Sequence, residues 1–220
     1  MSLILDGTNG LSDVDGSAAT PAIRGTDANT GIFFGTDIIG FSEGGVEAMR
    51  INASGNLQTL ATIGVGNATP STSGAGVTFP ATQSASSDAN TLDDYEEGTF
   101  TPIIIGGSTA GTGTYNTQSG SYTKVGRLVS FRLQVFWSAH TGTGGLFVGS
   151  LPFTCSGIGG GTIGLLNDLT LTASNYAMSD IVDGATTVRF RQYPVGGGTI
   201  TDVAMDSAAN IVLSGTYFTT

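Results

Sequence analysis

The stretch RLVSFRLQVFWS, residues 127–138, decides the fold class. Val129, Phe131, Leu133, Val135 and Trp137 take every second position, and Ser130, Arg132 and Gln134 fill the opposite face. Successive side chains of a strand point to opposite faces, so this alternation predicts a strand with one packed and one wetted side. Trp137 falls in the apolar row and is expected in the core rather than at a binding site. Residues 187–193 repeat the pattern, with Val188 and Phe190 inward and Arg189 and Arg191 outward. Nearer the N-terminus, residues 38–42 and 46–51 flank Gly44-Gly45, a pair able to supply the positive φ angles of a two-residue hairpin. Helical spacing of apolar residues is almost absent; one short helix is expected over residues 88–97, ahead of Gly98. The expectation is an all-β protein.

Composition narrows the function. The chain has 220 residues, 35 of them glycine, and 17 acidic against 7 basic side chains, a net charge of -10 with only 11% of positions charged. Ordinary globular domains carry charge at roughly 25% of positions, so this surface must be built from Ser, Thr, Asn, Gln and Gly. With 39% apolar residues the chain is not of the disordered class, which combines low hydrophobicity with dense charge. Lys124 is the single lysine and the arginines are scattered, so no basic stripe exists to neutralise phosphates and nucleic acid is excluded as a partner. No run approaches the roughly 20 apolar residues of a membrane helix, and MSLILDGTNG lacks the basic and apolar regions of a signal peptide; synthesis in a cytoplasm without membrane insertion is expected.

Three segments are expected: a short-strand module over 1–60, a Ser/Thr/Gly-rich linker or stalk over 61–98, and a longer-stranded domain over 99–220. Few large apolar residues fall in the first segment, so it would gain by burying its sheet against copies of itself, which argues for an oligomer. The charge is divided along the chain. Residues 1–98 hold 12 acids and 2 arginines, a net of -10, whereas residues 99–220 hold 5 acids and 5 bases.

Chemistry-bearing residues are sparse. Cys155 is single, which excludes an intrachain disulfide, and reads as a small buried thiol. A Ser-His-Asp arrangement would have to use His140, which sits in the turn-like SAHTGTGG and reads as a polar loop residue, near neutral for folding if replaced by Ala. One His and one Cys cannot build a zinc site. Gly159 to Gly164 formally match GxGxxG, but LLNDLTLTAS follows where a phosphate-binding helix should begin. Asp93, Asp94, Glu96 and Glu97, and the turn Asp13-Val14-Asp15-Gly16, offer oxygen ligands for calcium, against a default of solvated charge. Asp168, Asp180, Asp183, Asp202 and Asp206 all sit beside small or turn-forming residues and are expected to serve turns. Tyr115, Tyr122, Tyr176 and Tyr193 combine apolar area with a polar handle suited to sugar or protein surfaces. Tyr115, His140, Tyr176 and Tyr193 are the receptor-contact candidates; no catalytic residue, metal ligand or cofactor is expected.

Further stretches carry a resemblance. TPAIRGTDANTGIFFG (20–35) and IIGFSEGGVEAMRINASGNL (38–57) resemble repeat-like modules of the tail fibres and related appendages of tailed bacteriophages. TLDDYEEGTFTP (91–102), GTYNTQSGSYTKVGRLVSFRLQV (113–135), LFVGSLPF (146–153) and IVLSGTYFTT (211–220) are similar to the distal domain that often ends such fibres. The resemblance implies a homotrimeric, non-enzymatic component of the virion tail, with residues 1–60 held by a tail or baseplate adaptor protein. Residues 99–220 would form an antiparallel β-sandwich knob facing a bacterial surface polysaccharide or outer-membrane protein. A head or neck decoration fibre and a polysaccharide-degrading spike are the rival readings.

Overall fold

The computed structural model describes residues 4–6, 10–12, 14–71, 73–83, 86–88 and 90–220. The chain divides into two compact units, Met1–Gln83 and Ser84–Thr220. Among the described residues every regular element is a strand, as the alternating patterns predict. The helix expected over 88–97 is replaced by loop and strand. Asp88 accepts the Asn90 N–H at 2.8 Å, an Asx turn that competes with helix, and an extended strand begins at Tyr95.

The first unit opens with the paired strands β1 (Ile4–Asp6) and β2 (Gly10–Ser12). A five-stranded antiparallel meander follows, made of β3 (Ile23–Arg24), β4 (Gly31–Gly35), β5 (Ile38–Glu43), β6 (Val46–Ile51) and β7 (Leu57–Thr59). The Gly44-Gly45 hairpin forms as expected between β5 and β6, with φ of 59° and 83° at the two glycines. On one face Phe33 lies over Gly40, its cross-strand neighbour, whose missing side chain leaves room for the ring. The other face carries an apolar ladder, Phe34, Ile39, Ile51 and Leu57, in direct cross-strand register. A parallel row of Ile23, Ile32, Phe41 and Met49 lies beside it. Ile23, Ile39, Ile51 and Leu57 are exposed. Two short parallel strands, β8 (Ile63–Gly64) and β9 (Val77–Thr78), complete this unit.

Among the described residues of the second unit there are ten strands: β10 (Tyr95–Phe100), β11 (Ile103–Gly106), β12 (Gly113–Val125), β13 (Leu128–His140), β14 (Leu146–Gly149), β15 (Gly159–Asn167), β16 (Asn175–Ile181), β17 (Val188–Pro194), β18 (Thr201–Asp202) and β19 (Ala209–Phe218). The 98/99 boundary expected from the sequence falls inside β10. Instead of two separate sheets of a sandwich, hydrogen bonding follows one path, β10-β12-β13-β19-β15-β16-β17-β14-β11, with β18 on β17. The inward rows of strands distant along that path share one core: Phe131, Leu133 and Trp137 of β13, Ile211 and Leu213 of β19, Ile181 of β16, Phe190 of β17, Val148 of β14 and Ile104 of β11. Only a sheet that curls on itself can bring these together. The curl is tied where β11, at one end of the path, meets β12 near the other: the Ile104 N–H donates to the Tyr115 hydroxyl at 2.9 Å. Trp137 is fully buried and its indole N–H donates to the Asp206 carbonyl, so the core assignment holds. Cys155 is buried, and burial pushes its thiol pKa up.

Candidate functional site

Four of the stretches that carry the resemblance, residues 91–102, 113–135, 146–153 and 211–220, belong to the second unit and come together there. Residues 95–100 pair with 120–125 in direct register, and the Lys124 ammonium bonds the carboxylate of Asp94 in a buried ion pair. The Tyr122 ring covers Gly98 and the Phe100 ring covers Gly120, each aromatic shielding the glycine directly opposite. The Tyr122 hydroxyl donates to Glu96, which together with burial pushes its pKa up to about 12. Phe153 packs edge-on to Tyr122 at 5.3 Å, and Lys124 Nζ stands 5.5 Å from the Phe153 ring centre. The Phe153 N–H donates to the Tyr217 hydroxyl, while Arg127 and Thr219 exchange hydrogen bonds at the chain's last strand.

Of the acidic run, Asp94 is buried and Glu96 half-buried against the sheet, so these two are architecture, while Glu97 stays on the exposed surface. Asp93 accepts the Ser86 N–H, Asp94 holds Lys124, Glu96 accepts from Tyr122 and Glu97 from Tyr95. No group of three or more His, Cys, Asp or Glu side chains gathers among the described residues. Asp13 of the other acidic turn lies outside them. The glycine-rich Gly159–Gly164 segment is part of β15, with no helix after it.

Two of the four receptor-contact candidates are engaged by the fold. Tyr115 accepts the Ile104 N–H, and His140 Nε2 lies 3.1 Å from the Ile104 carbonyl. The Gly142 N–H donates to His140 Nδ1 at 2.9 Å, which places the ring proton on Nε2. Together the two side chains clasp both polar groups of Ile104. The sequence shows two polar residues amid turns; the clasp depends on a backbone group 11 and 36 residues away.

The other two candidates stand together. Tyr176 and Tyr193 are directly opposite on β16 and β17, their rings 5.5 Å apart and tilted by 50°, with Tyr176 50% exposed. On the same outward face Met178 faces Arg191 and Asp180 faces Arg189. Arg189 grips Asp180 with two bonds of 2.9 and 2.7 Å, and Arg191 lies 3.7 Å from Asp180 and 3.8 Å from Asp202. The Arg189 hydrogen bonds, more than its and Arg191's charge, hold the Asp180 carboxyl below the usual range against the opposing effect of burial. Asp180 and Asp202 are thus strand residues paired with arginines, not turn residues. Asp168, Asp183 and Asp206 do serve loops, accepting from Asn167, Gly157 and Thr170.

That outward face continues across the sheet as a polar surface. Thr99, Ser121, Arg132, Ser214 and Thr162 form one cross-strand row, and Thr123, Ser130 and Thr216 form the next. Arg132 borders two open clefts of about 630 and 400 Å³. The alternation in β13 was enough to predict an outward Arg132, but the cleft depends on the register of four other strands.

No family model matches the chain, and no curated protein does. Among solved structures, the crystal structure of the Dettilon tailspike protein is similar over 56% of this chain, at 21% sequence identity and a TM-score of 0.47. This chain spans about a quarter of that protein's length, covering 24% of it. The expectation that this chain is not an enzyme is corrected on that finding and withdrawn, since the similar protein is a tailspike. At this identity and TM-score the likeness assigns no activity or catalytic residue in its place.

Proposed function

We propose that this chain is a bacteriophage tail protein that attaches the virion to a bacterial surface polysaccharide or outer-membrane protein. The observation that carries the reading is the Tyr176–Tyr193 pair, Tyr176 exposed and Tyr193 half-buried, beside the Asp180–Arg189–Arg191 network. Aromatic faces provide rigid apolar area for sugar rings, and an ion-paired guanidinium row holds polar donors in fixed positions next to them. The motif resemblance supports the same reading.

The protein acts as a homotrimer, with the tail-adaptor contact in residues 1–60, a stalk that begins at residue 61 and ends ahead of β10, and the curled-sheet second unit as the distal knob. What supports the oligomer is the apolar ladder Phe34, Ile39, Ile51 and Leu57, a sheet face whose exposure in one chain would be relieved against two copies. Three sites on one mount gain avidity without any new contact.

Purified protein should bind host cells and isolated envelope polysaccharide, and Tyr176→Ala with Tyr193→Ala should remove most of that binding while leaving the melting temperature near that of wild type. Virions made without the protein should fail to adsorb. Normal adsorption by such virions would overturn the attachment reading.

A further inference from the structure

The cations of the second unit are nearly all engaged: Lys124 by Asp94, Arg127 by the Thr219 carbonyl, and Arg189 and Arg191 by Asp180. Arg132 is the exception. Its side chain has no ion-pair or hydrogen-bond partner among the described residues, and it is exposed in the middle of a strand. Its backbone is held on both sides, opposite Ser121 of β12 and Ser214 of β19, so the base of the side chain is fixed. Around it the sheet presents hydroxyls and an amide, from Ser119, Ser121, Gln134, Thr162 and Ser214, which line the 400 Å³ cleft. No carboxylate lines that cleft. Glu97 stands at the far side of the neighbouring 630 Å³ cleft, where the Tyr95 hydroxyl engages it.

A lone guanidinium among neutral hydroxyls suits a ligand with one anionic group on a hydroxyl-rich body. Guanidinium binds a carboxylate through two parallel N–H bonds, and Ser, Thr and Gln side chains can both donate to and accept from sugar hydroxyls. A nucleic-acid partner fits less well, because no second unpaired cation lines the cleft; of the apolar residues that line it, Leu133 and Leu213 are buried and Val212 is part-exposed beside Ser214. We propose that the cleft between β12, β13, β19 and β15 binds a carboxylate-bearing sugar unit, with Arg132 on the carboxylate and Ser121, Ser214, Thr162 and Gln134 on its hydroxyls. This rests on the attachment reading and adds to it a preference for acidic glycans, at a place separate from the tyrosine pair.

The test uses the full chain with two probes of equal length, tetragalacturonate and the neutral maltotetraose, followed by calorimetry and by amide chemical shifts of β12, β13 and β19. The expected result is tetragalacturonate binding about tenfold tighter than maltotetraose, weakening as salt rises, with shifts centred on Arg132. Arg132→Gln should erase the preference, and Arg24→Gln, an exposed arginine in the other unit, should leave it intact. Equal binding of the two probes, or a preference that survives Arg132→Gln, would overturn the proposal. A change of oligomeric state in Arg132→Gln, seen by sedimentation, would also overturn it, assigning the face to contacts between copies. Cell binding is measured in parallel: wild-type protein that binds cells with no acid preference sinks this inference alone, whereas protein that binds neither cells nor envelope polysaccharide sinks the attachment reading.

Discussion

The ammonium of Lys124 is bonded to the carboxylate of Asp94 where both side chains are sealed from water, each residue 4% exposed. Removing one partner strands the other charge in the interior, which costs about 3–5 kcal/mol, while replacing both with apolar groups of similar volume is often neutral. Lys124→Met should therefore lower the unfolding free energy by about that amount in urea titrations, and adding Asp94→Leu should restore most of it. Additive losses in the double variant would show that the pair is not the unit that matters.

Gly215 sits opposite Phe131 in the middle of the second unit's sheet, and a Cβ there would come within 2.5 Å of the Gly160 carbonyl oxygen and 2.9 Å of the Phe131 ring. The obstructing atom is backbone, so it cannot swing away, and Gly215→Ala should cost about 1–3 kcal/mol through overpacking. Gly164 in the neighbouring strand has nothing closer than 3.6 Å, so Gly164→Ala should stay within about 0.5 kcal/mol of wild type. Thermal melts of the two variants side by side check the contrast.

What the sequence displays and what it hides divide along the range of the interaction. The alternation of Val129 to Trp137, the pattern at 187–193 and the Gly44-Gly45 hairpin are local signals, and each element forms where its residues place it. The single curled sheet is not local: it depends on Phe131 finding Gly215 and Ile104 finding His140, pairings that no short window contains. Asp94 and Glu96 looked like solvated charge because their partners, Lys124 and Tyr122, lie 30 and 26 residues away. Among the site residues, Tyr176 and Tyr193 were visible one by one, but their pairing follows from the β16–β17 register. Arg132 was visible as outward, while its lack of a partner emerges only once the other cations are placed.

His140 shows how such a partner revises a prediction. Taken as a surface loop residue it should be replaceable at no cost, yet its ring spans the Ile104 carbonyl and the Gly142 N–H. His140→Ala leaves both without their protein partner in a half-buried place, so it should destabilise by about 1–2 kcal/mol in chemical denaturation. Tyr115→Phe, which removes the acceptor for the Ile104 N–H, should lose a similar amount. Wild-type stability in both would mean that the clasp on Ile104 does not hold the curl.

Asp180 makes the second unit's stability depend on pH in a definite direction. Its carboxyl is held below the usual range chiefly by the hydrogen bonds from Arg189, so folding favours the ionised form. A group with a lowered folded pKa contributes stability above its unfolded value, about 3.9 for Asp, and that contribution is lost as pH falls through the folded value. At pH 7 Asp180→Asn should melt below wild type, because Arg189 and Arg191 lose their common anion. The gap should narrow as pH drops below about 4 and close once the wild-type carboxyl is protonated. Melting curves of the two proteins from pH 7 to pH 2 make the comparison, and a gap that stayed constant down to pH 2 would show that the Asp180–Arg189 bond does not depend on the carboxylate's charge.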